Sequence, residues 1–329
     1  MNRYTQKSII SKVEKTIKEN GLILPNEKIV VALSGGPDSM ALINILLRLR
    51  SKLKIEVLAC HYNHRLRGEE SELDQQFVQK FCDKEGIALS VGAFAKKNKL
   101  KSEGDARSAR YSFFEEILVE GGEDKIALAH NLNDFVETTI HRIVRGSGLR
   151  GLSSIPISRG KFIRPLLFVS RKEIESFLEE NKIDFCTDQT NFDMRFTRNR
   201  IRMETIPYLE KLNPNILNSL FVMSQTIQTD YSYLEAHTEE ILAKICEKKS
   251  GNSIVIDRLR WLELDKALRV MTLRLALNDL LQGLPDISYK QIEEVVKMIL
   301  KGEGRKKKIL PCSLQAELQA GKIVLSKIV

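Results

Sequence analysis

A run of β-branched residues at 28–33 (KIVVAL) leads without a spacer into Ser34-Gly35-Gly36-Pro37-Asp38-Ser39, and from there into a helix-like stretch at 40–50. Two adjacent glycines let the backbone turn tightly, so that successive N–H groups can converge on an anion. Pro37 suits the first helical turn, where a missing N–H costs nothing, and the helix N-terminus adds partial positive charge. Ser34 and Ser39 offer hydroxyls to phosphate oxygens. Asp38 would repel phosphate unless a cation lay between them, which points to a magnesium bridge. The segment lacks the Gly-Lys-Ser/Thr ending of a Walker A loop and the spacing of a GxGxxG fingerprint, so neither a P-loop kinase or GTPase nor a dinucleotide fold is indicated.

The loop sits in a longer alternation. Strand-like runs at 28–33, 55–60, 88–94 and 125–129 are separated by helix-like runs at 40–50, 71–86, 106–121 and 134–145. That pattern predicts a parallel sheet with crossover helices. Ser170 and Glu173 form a capping box that starts one more helix, with Ile174, Phe177 and Leu178 at helical spacing. The character changes near Pro214. Residues 215–250 contain no Gly or Pro, and Leu220, Met223, Ile227, Tyr231, Leu234, Ile241 and Ile245 fall on one stripe. Helices are expected at 260–281, with Trp261 in the core, and from a second capping box at Ser288 and Gln291. The last residues alternate around Ala320-Gly321 and predict a short terminal β-hairpin. The expected architecture is an α/β catalytic domain over 1–213 and a mainly helical domain with that hairpin over 214–329.

At 329 residues, two domains fit better than one. The net charge of +9 favours a polyanionic partner such as nucleic acid. No apolar run is long enough for a membrane span, and the opening MNRYTQKSII does not lead into a signal core, so a cytoplasmic location is expected. Cys60, Cys82, Cys186, Cys246 and Cys312 form no Cys-x-x-Cys pair, so neither a disulfide framework nor a zinc site is favoured.

The loop resembles the PP-loop of the ATP pyrophosphatases, which split ATP to AMP and pyrophosphate. Four further segments resemble one family among them, the tRNA(Ile)-lysidine synthetases: HYNHRLRG at 61–68, ARSARY at 106–111, AHNLNDFVET at 129–138 running into RGSGLRG at 145–151, and DQTNFDMRFTRNRIRMETIP at 188–207. The resemblance implies an adenine nucleotide alpha-hydrolase-like catalytic domain. It implies a ligase that uses ATP and free L-lysine to modify the wobble cytidine of the isoleucine tRNA with a CAU anticodon. Cytosine O2 is adenylated first, releasing pyrophosphate; lysine then attacks C2 and expels AMP, and the codon read changes from AUG to AUA.

On this resemblance Ser34, Gly35, Gly36, Pro37, Asp38 and Ser39, with His130, are expected to hold ATP. Asp134 and Glu137 are three apart and neighbours on one helix face. As catalytic carboxylates they could hold magnesium, orient the lysine ammonium or take its proton, with Asp38 and Asp134 the metal candidates. The family more often shows two carboxylates and a Gln here, where this chain has Asn133 and Phe135. Arg107 and Arg110 are expected to grip an α-phosphate or the RNA backbone. Arg145 and Arg150 flank a basic loop that could close over substrate. Arg198, Arg200 and Arg202, near Phe196 and Asn199, suit RNA phosphates with base stacking. Arg305, Lys306, Lys307 and Lys308 form a further RNA-backbone candidate. His64, Arg67, Asp188, Asn191 and Asp193 are secondary candidates. A helical domain of this size can also support a homodimer.

Overall fold

The protein is described by a computed structural model covering residues 3–65, 68–94, 103–186, 197–281, 287–302 and 306–328. The chain divides into two compact units, Met1–Ile227 and Gln228–Val329.

The first unit opens with α1 (Arg3–Glu19), which buries Ile9, Val13 and Ile17 at helical spacing. Next come β1 (Lys28–Ala32), α2 (Pro37–Leu53), β2 (Glu56–Asn63), α3 (Glu69–Glu85), β3 (Leu89–Ala93), α4 (Glu103–Glu120), β4 (Lys125–Ala127) and α5 (Leu132–Val144). A short α6 (Leu149–Leu152) precedes β5 (Ser158–Arg159), β6 (Phe162–Ile163) and α7 (Arg171–Glu180). The sheet order is β3-β2-β1-β4-β6-β5, parallel except for β5. Ile29, Val30 and Val31 of β1 are all buried, as a central strand covered on both faces requires. The chain builds β1, β2 and β3 outward on one side and then returns to place β4 on the other side of β1. Ligands of open α/β sheets bind at such a switch point, outside the carboxyl ends of the strands. The loop 34–39 and His130 follow β1 and β4 at that edge.

The unit continues through α8 (Thr197–Arg200), a π turn at Ile201–Thr205, α9 (Ile206–Leu212) and the start of α10 (Ile216–Ile245). The boundary between the units lies inside α10 rather than near Pro214. The physical reason is that Leu217, Leu220 and Phe221 pack with Phe135, Val136, Ile201 and Ile206.

The second unit carries more sheet than its helical periodicity predicts. After α10 come β7 (Cys246–Lys249), β8 (Ser253–Asp257), α11 (Arg258–Leu262), α12 (Lys266–Leu281), α13 (Tyr289–Lys301), β9 (Lys306–Leu310), β10 (Leu314–Gln319) and β11 (Lys322–Lys327). The expected hairpin is β10–β11, turning at Ala320 (φ 48) and Gly321 (φ 76), the positive pair that a tight hairpin turn demands. Rather than standing alone, it forms part of a five-stranded antiparallel sheet, β7-β8-β11-β10-β9. The charged residues of CEKK and KKKIL mask strands at the two edges of the sheet, where most of their side chains stay wholly or partly exposed. The helix expected over 260–281 is two helices, because Asp257 caps α11 through the Leu259 and Arg260 N–H groups and α12 starts afresh. Trp261 is fully buried and donates from Nε1 to Thr272 Oγ1 at 3.1 Å.

Candidate active site

Gly35 has φ +85, where an L side chain is strained, and a Cβ there would meet Cys186 Sγ at 3.3 Å. Its carbonyl accepts the Cys186 N–H at 2.9 Å, which pins the outside of the bend. Gly36 is the extended N-cap of α2 and Pro37 opens the helix. Ser39 Oγ donates to the Gly36 carbonyl at 2.9 Å and accepts the Ser34 N–H at 3.2 Å, while the Gly36 N–H reaches Ser34 Oγ at 3.3 Å. These two N–H contacts are long, so a phosphate oxygen can compete for the donors.

Asp38 stands at the start of α2 with both oxygens engaged. Oδ1 accepts from Asn131 Nδ2 at 2.8 Å, and Oδ2 from the Arg171 guanidinium at 3.1 Å. Burial raises the Asp38 carboxyl to about 6, against the opposing pull of Arg171 and with the help of neighbouring Asp134. Asn131 is itself the N-cap of α5: its Oδ1 accepts the Asp134 N–H at 3.0 Å, and Asp134 Oδ2 accepts the Asn131 N–H at 3.1 Å. This capping box starts α5 at Leu132, two residues before Asp134, and fixes the Asp134 carboxylate by the helix's own geometry.

Glu137 differs from the expectation of a second carboxylate open to substrate. Its side chain is only 1% exposed and is clamped by Arg202, Nε to Oε1 at 2.6 Å and Nη2 to Oε2 at 2.9 Å. Arg202, expected on the RNA side, therefore faces α5, and its guanidinium also lies 3.6 Å from Asp134. The cause is packing: Ile201, which opens the π turn, and Ile206, just after it, are both buried, which aims Arg202 inward. Burial raises the Glu137 carboxyl, with Arg202 acting against it.

These groups surround a cavity of about 400 Å³. Ser34, Gly36–Ser39, Asp134, Arg171 and Arg202 supply polar lining, and Ala32, Cys60, Tyr62, Tyr111, Phe114 and Leu128 supply apolar and aromatic lining. His130, His64 and Arg110 line it as well. Burial pushes His130 down to about 4 despite Asp134, with Arg164, Arg107 and Arg110 acting in the same direction as burial. His64 falls to about 4 through burial and then Arg110. Both imidazoles are neutral at pH 7, and each has a buried Nδ1 without a hydrogen-bond partner among the described residues. Burial raises the Cys60 thiol to about 12, so it is no nucleophile.

A PP-loop domain matches residues 5–209. A tRNA(Ile)-lysidine synthase of Clostridioides difficile is 34% identical over 325 residues, 97% of this chain and 70% of the relative. The chain belongs to the tRNA(Ile)-lysidine synthase family of PP-loop proteins. A second member of the family, from Pseudothermotoga lettingae, is 39% identical over 87% of this chain and 63% of its own length. The chain thus spans just under two thirds of that relative, and 64% of one from Clostridium perfringens. The fold is shared with the U34-tRNA thiolase NcsA of Methanococcus maripaludis, at a TM-score of 0.59 and 20% identity over 69% of this chain and 80% of that one.

Against the family's motifs, Asn133 is not an idle replacement for an acid: its Oδ1 accepts the Arg171 N–H at 2.9 Å and ties α5 to the first turn of α7. Phe135 is fully buried against Phe221. Arg107 lies outside the cavity, with its guanidinium 4.9 Å from the centre of the Tyr111 ring and its Nη2 3.3 Å from the Tyr111 hydroxyl. Arg145 caps α5 and Arg150 lies in α6, and neither lines the cavity. The loop they flank is braced, because Arg142 donates to the Gly151 and Ser154 carbonyls at 2.6 and 2.9 Å. Arg198 bonds Thr138 Oγ1 at 2.9 Å and Arg200 pairs with Glu204 at 3.5 Å, both exposed. Lys306, Lys307 and Lys308 lie on β9 in the second unit, where Lys308 pairs with Glu294 at 2.7 Å. Arg67, Asp188, Asn191, Asp193, Phe196 and Arg305 lie outside the described residues. No helix among the described residues is long and apolar enough to cross a membrane.

Sequence reasoning missed Arg171, Asn131, Tyr62 and Cys186. Arg171 and Asp38 are 133 residues apart, so no local pattern links them. Only Asn131 carried a signal, as an Asn three residues before an Asp at a helix start.

Proposed function

We propose that this chain ligates free L-lysine to C2 of the wobble cytidine in the CAU-anticodon isoleucine tRNA, through an adenylated cytidine, releasing pyrophosphate and then AMP. The codon read would change from AUG to AUA. One observation carries the reading: the glycine bend and Asp38 open onto the same cavity as Asp134, Arg110 and His130. That cavity provides an anion cradle, a carboxylate for an ammonium and an apolar wall for a planar base, three needs that this two-step reaction has together. The family's named members support the choice of tRNA.

In this reading the N–H groups of Ser34 and Gly36, with the Ser34 and Ser39 hydroxyls, take the β- and γ-phosphates of ATP at the N-terminus of α2. Arg110 holds the α-phosphate as cytosine O2 attacks phosphorus and pyrophosphate departs. The second step needs the lysine amine unprotonated. Asp134 orients the ammonium and takes its proton, the amine bonds to C2, and AMP leaves with the former O2 oxygen. Neutral His130 can direct a hydrogen bond without adding charge. Glu137 acts through Arg202, keeping the guanidinium beside Asp134. Arg145, Arg150, Arg198, Arg200 and Lys306–Lys308 are proposed contacts to the RNA backbone. The setting is the cytoplasm, where tRNA, ATP and lysine meet.

Magnesium fits the donors. Among the described residues no three His, Cys, Asp or Glu side chains are grouped to cage a metal. Asp38 and Asp134, both hard oxygen donors near enough to oppose each other's charge, suit an ion that takes one or two carboxylates together with phosphates and water. There it would neutralise phosphate charge.

The test is incubation of the protein with ATP, magnesium, radiolabelled lysine and this tRNA. Label should enter the RNA, with pyrophosphate released before lysine is added. Unlabelled RNA would refute the ligase. Pyrophosphate release absent with both ATP and tRNA present would indicate RNA binding without chemistry.

A further inference from the structure

Beside the cavity, two guanidiniums meet at the Tyr111 phenol and a third lies near them: Arg159 pairs in register with Phe162, whose ring centre is 5.2 Å from that of Tyr111. Arg107 lies over the Tyr111 ring and touches its hydroxyl. Arg164, just after β6, is only 4% exposed and interacts with the same hydroxyl from within. Its Nη1 donates to the Pro156 carbonyl at 2.8 Å, while its buried Nε has no hydrogen-bond partner among the described residues. Arg159 on β5 is exposed and close enough for its charge, like that of Arg107, to oppose Arg164.

Such an arrangement is costly as it stands. A buried charge is normally paired, and like charges packed together repel. Among the described residues no carboxylate pairs with any of the three, although this chain forms ion pairs in many other places. The phenol supplies a neutral oxygen where an anion would relieve the repulsion. Guanidiniums suit that anion if it is a phosphate, since their planar N–H forks match its oxygens. Arg107, Arg159 and Arg164 do not line the cavity, whereas Arg110 and Tyr111, on the same helix as Arg107, do. Arg107 sits one helical turn before Tyr111, so a chain whose base enters past Tyr111 would carry its backbone over Arg107.

We propose that Arg107 and Arg159 form a phosphodiester-binding rim that holds the RNA backbone next to the nucleotide whose base enters the cavity, with the buried charge of Arg164 behind them adding to the pull on the phosphate. The assignment rests on the RNA-modifying function proposed above. It adds Arg159 and Arg164, and it places Arg107 with the RNA rather than with the nucleotide. Base contacts select and phosphate contacts position, so the rim would set register without reading sequence.

The experiment measures binding of this tRNA by fluorescence anisotropy across a salt series, for the wild type, Arg159→Gln and Arg107→Gln/Arg159→Gln. Each lost contact should flatten the log–log salt slope by about 0.7–0.9. Binding at low salt should weaken several-fold in the single variant and further in the double. Arg159 is exposed, so its replacement leaves the fold intact, and Arg159→Lys should recover much of the affinity. The KM for ATP of Arg159→Gln should stay near that of the wild type. Unchanged affinity and slope in the double variant would overturn the rim. So would a raised KM for ATP with tRNA binding untouched, since the phosphate held would then belong to the nucleotide. A wild-type protein that binds no tRNA would remove the underlying function, a result distinct from either.

Discussion

Replacing Arg202 with Met should destabilise the protein in a pH-dependent way that follows from the geometry at Glu137. The Glu137 carboxylate is 1% exposed, and both its oxygens are bonded to the one guanidinium. Breaking a buried ion pair by removing one partner typically costs about 3–5 kcal/mol. Glu137 can limit that cost by taking a proton. At about 1.4 kcal/mol per pH unit, protonating a carboxyl of ordinary value 4.5 at pH 7 costs about 3.4 kcal/mol, which sets a ceiling on the charge penalty. The sign follows from linkage. A carboxyl whose folded value is raised loses stability as pH climbs past its unfolded value, and the loss stops once the folded carboxyl ionises. Arg202 curtails that loss in the wild type, and without it the loss runs further. The deficit of Arg202→Met should therefore be small near pH 5 and approach about 3 kcal/mol by pH 7 to 8. Urea unfolding at pH 5, 6, 7 and 8 measures it. Far-UV circular dichroism is the appropriate probe, because the single tryptophan, Trp261, belongs to the second unit. Adding Glu137→Gln to Arg202→Met should abolish the pH dependence. A deficit equal at pH 5 and pH 8, or larger at pH 5, would refute the reasoning.

Three further outcomes are expected. Asp38→Ala should reduce pyrophosphate release by at least about a hundredfold while tRNA affinity stays within about twofold, because the proposed mechanism places this carboxylate with magnesium and the nucleotide phosphates; equal losses in both assays would contradict that placement. Arg171→Met should move the acid limb of the pH–rate profile upward from near pH 6, since Arg171 holds the Asp38 carboxyl down against burial; activity lost at pH 7 should return in part at pH 8.5, and an unmoved limb would count against it. Cys186 lines the cavity beside Gly35, so ATP should slow its alkylation by N-ethylmaleimide, and mass spectrometry showing the same rate with and without ATP would contradict nucleotide binding at the bend.

Much of the molecule is written locally. The glycine bend, the capping boxes at Ser170–Glu173 and Ser288–Gln291 and the hairpin turn at Ala320–Gly321 each depend on groups within a few residues of one another, so their residue types declare them. The parallel sheet was legible for a related reason: a strand buried on both faces must be apolar throughout, and KIVVAL is nearly so. Strands that carry lysines, such as β7 and β9, were not legible as strands, because they are sheet edges held by backbone pairing to β8 and β10 and carry little apolar alternation of their own.

The amino-acid sequence by itself determined where a glycine bend meets a helix start and which segments alternate around that point, since these properties arise from backbone freedom and short-range hydrogen bonds. Only the tertiary structure decided which charges meet. Glu137 and Arg202 are separated by 65 residues and Asp38 and Arg171 by 133, and packing at Ile201 and at the first turn of α7 brings each pair together. Charge attraction acts through space, so the partner of a carboxylate cannot be read from its neighbours along the chain.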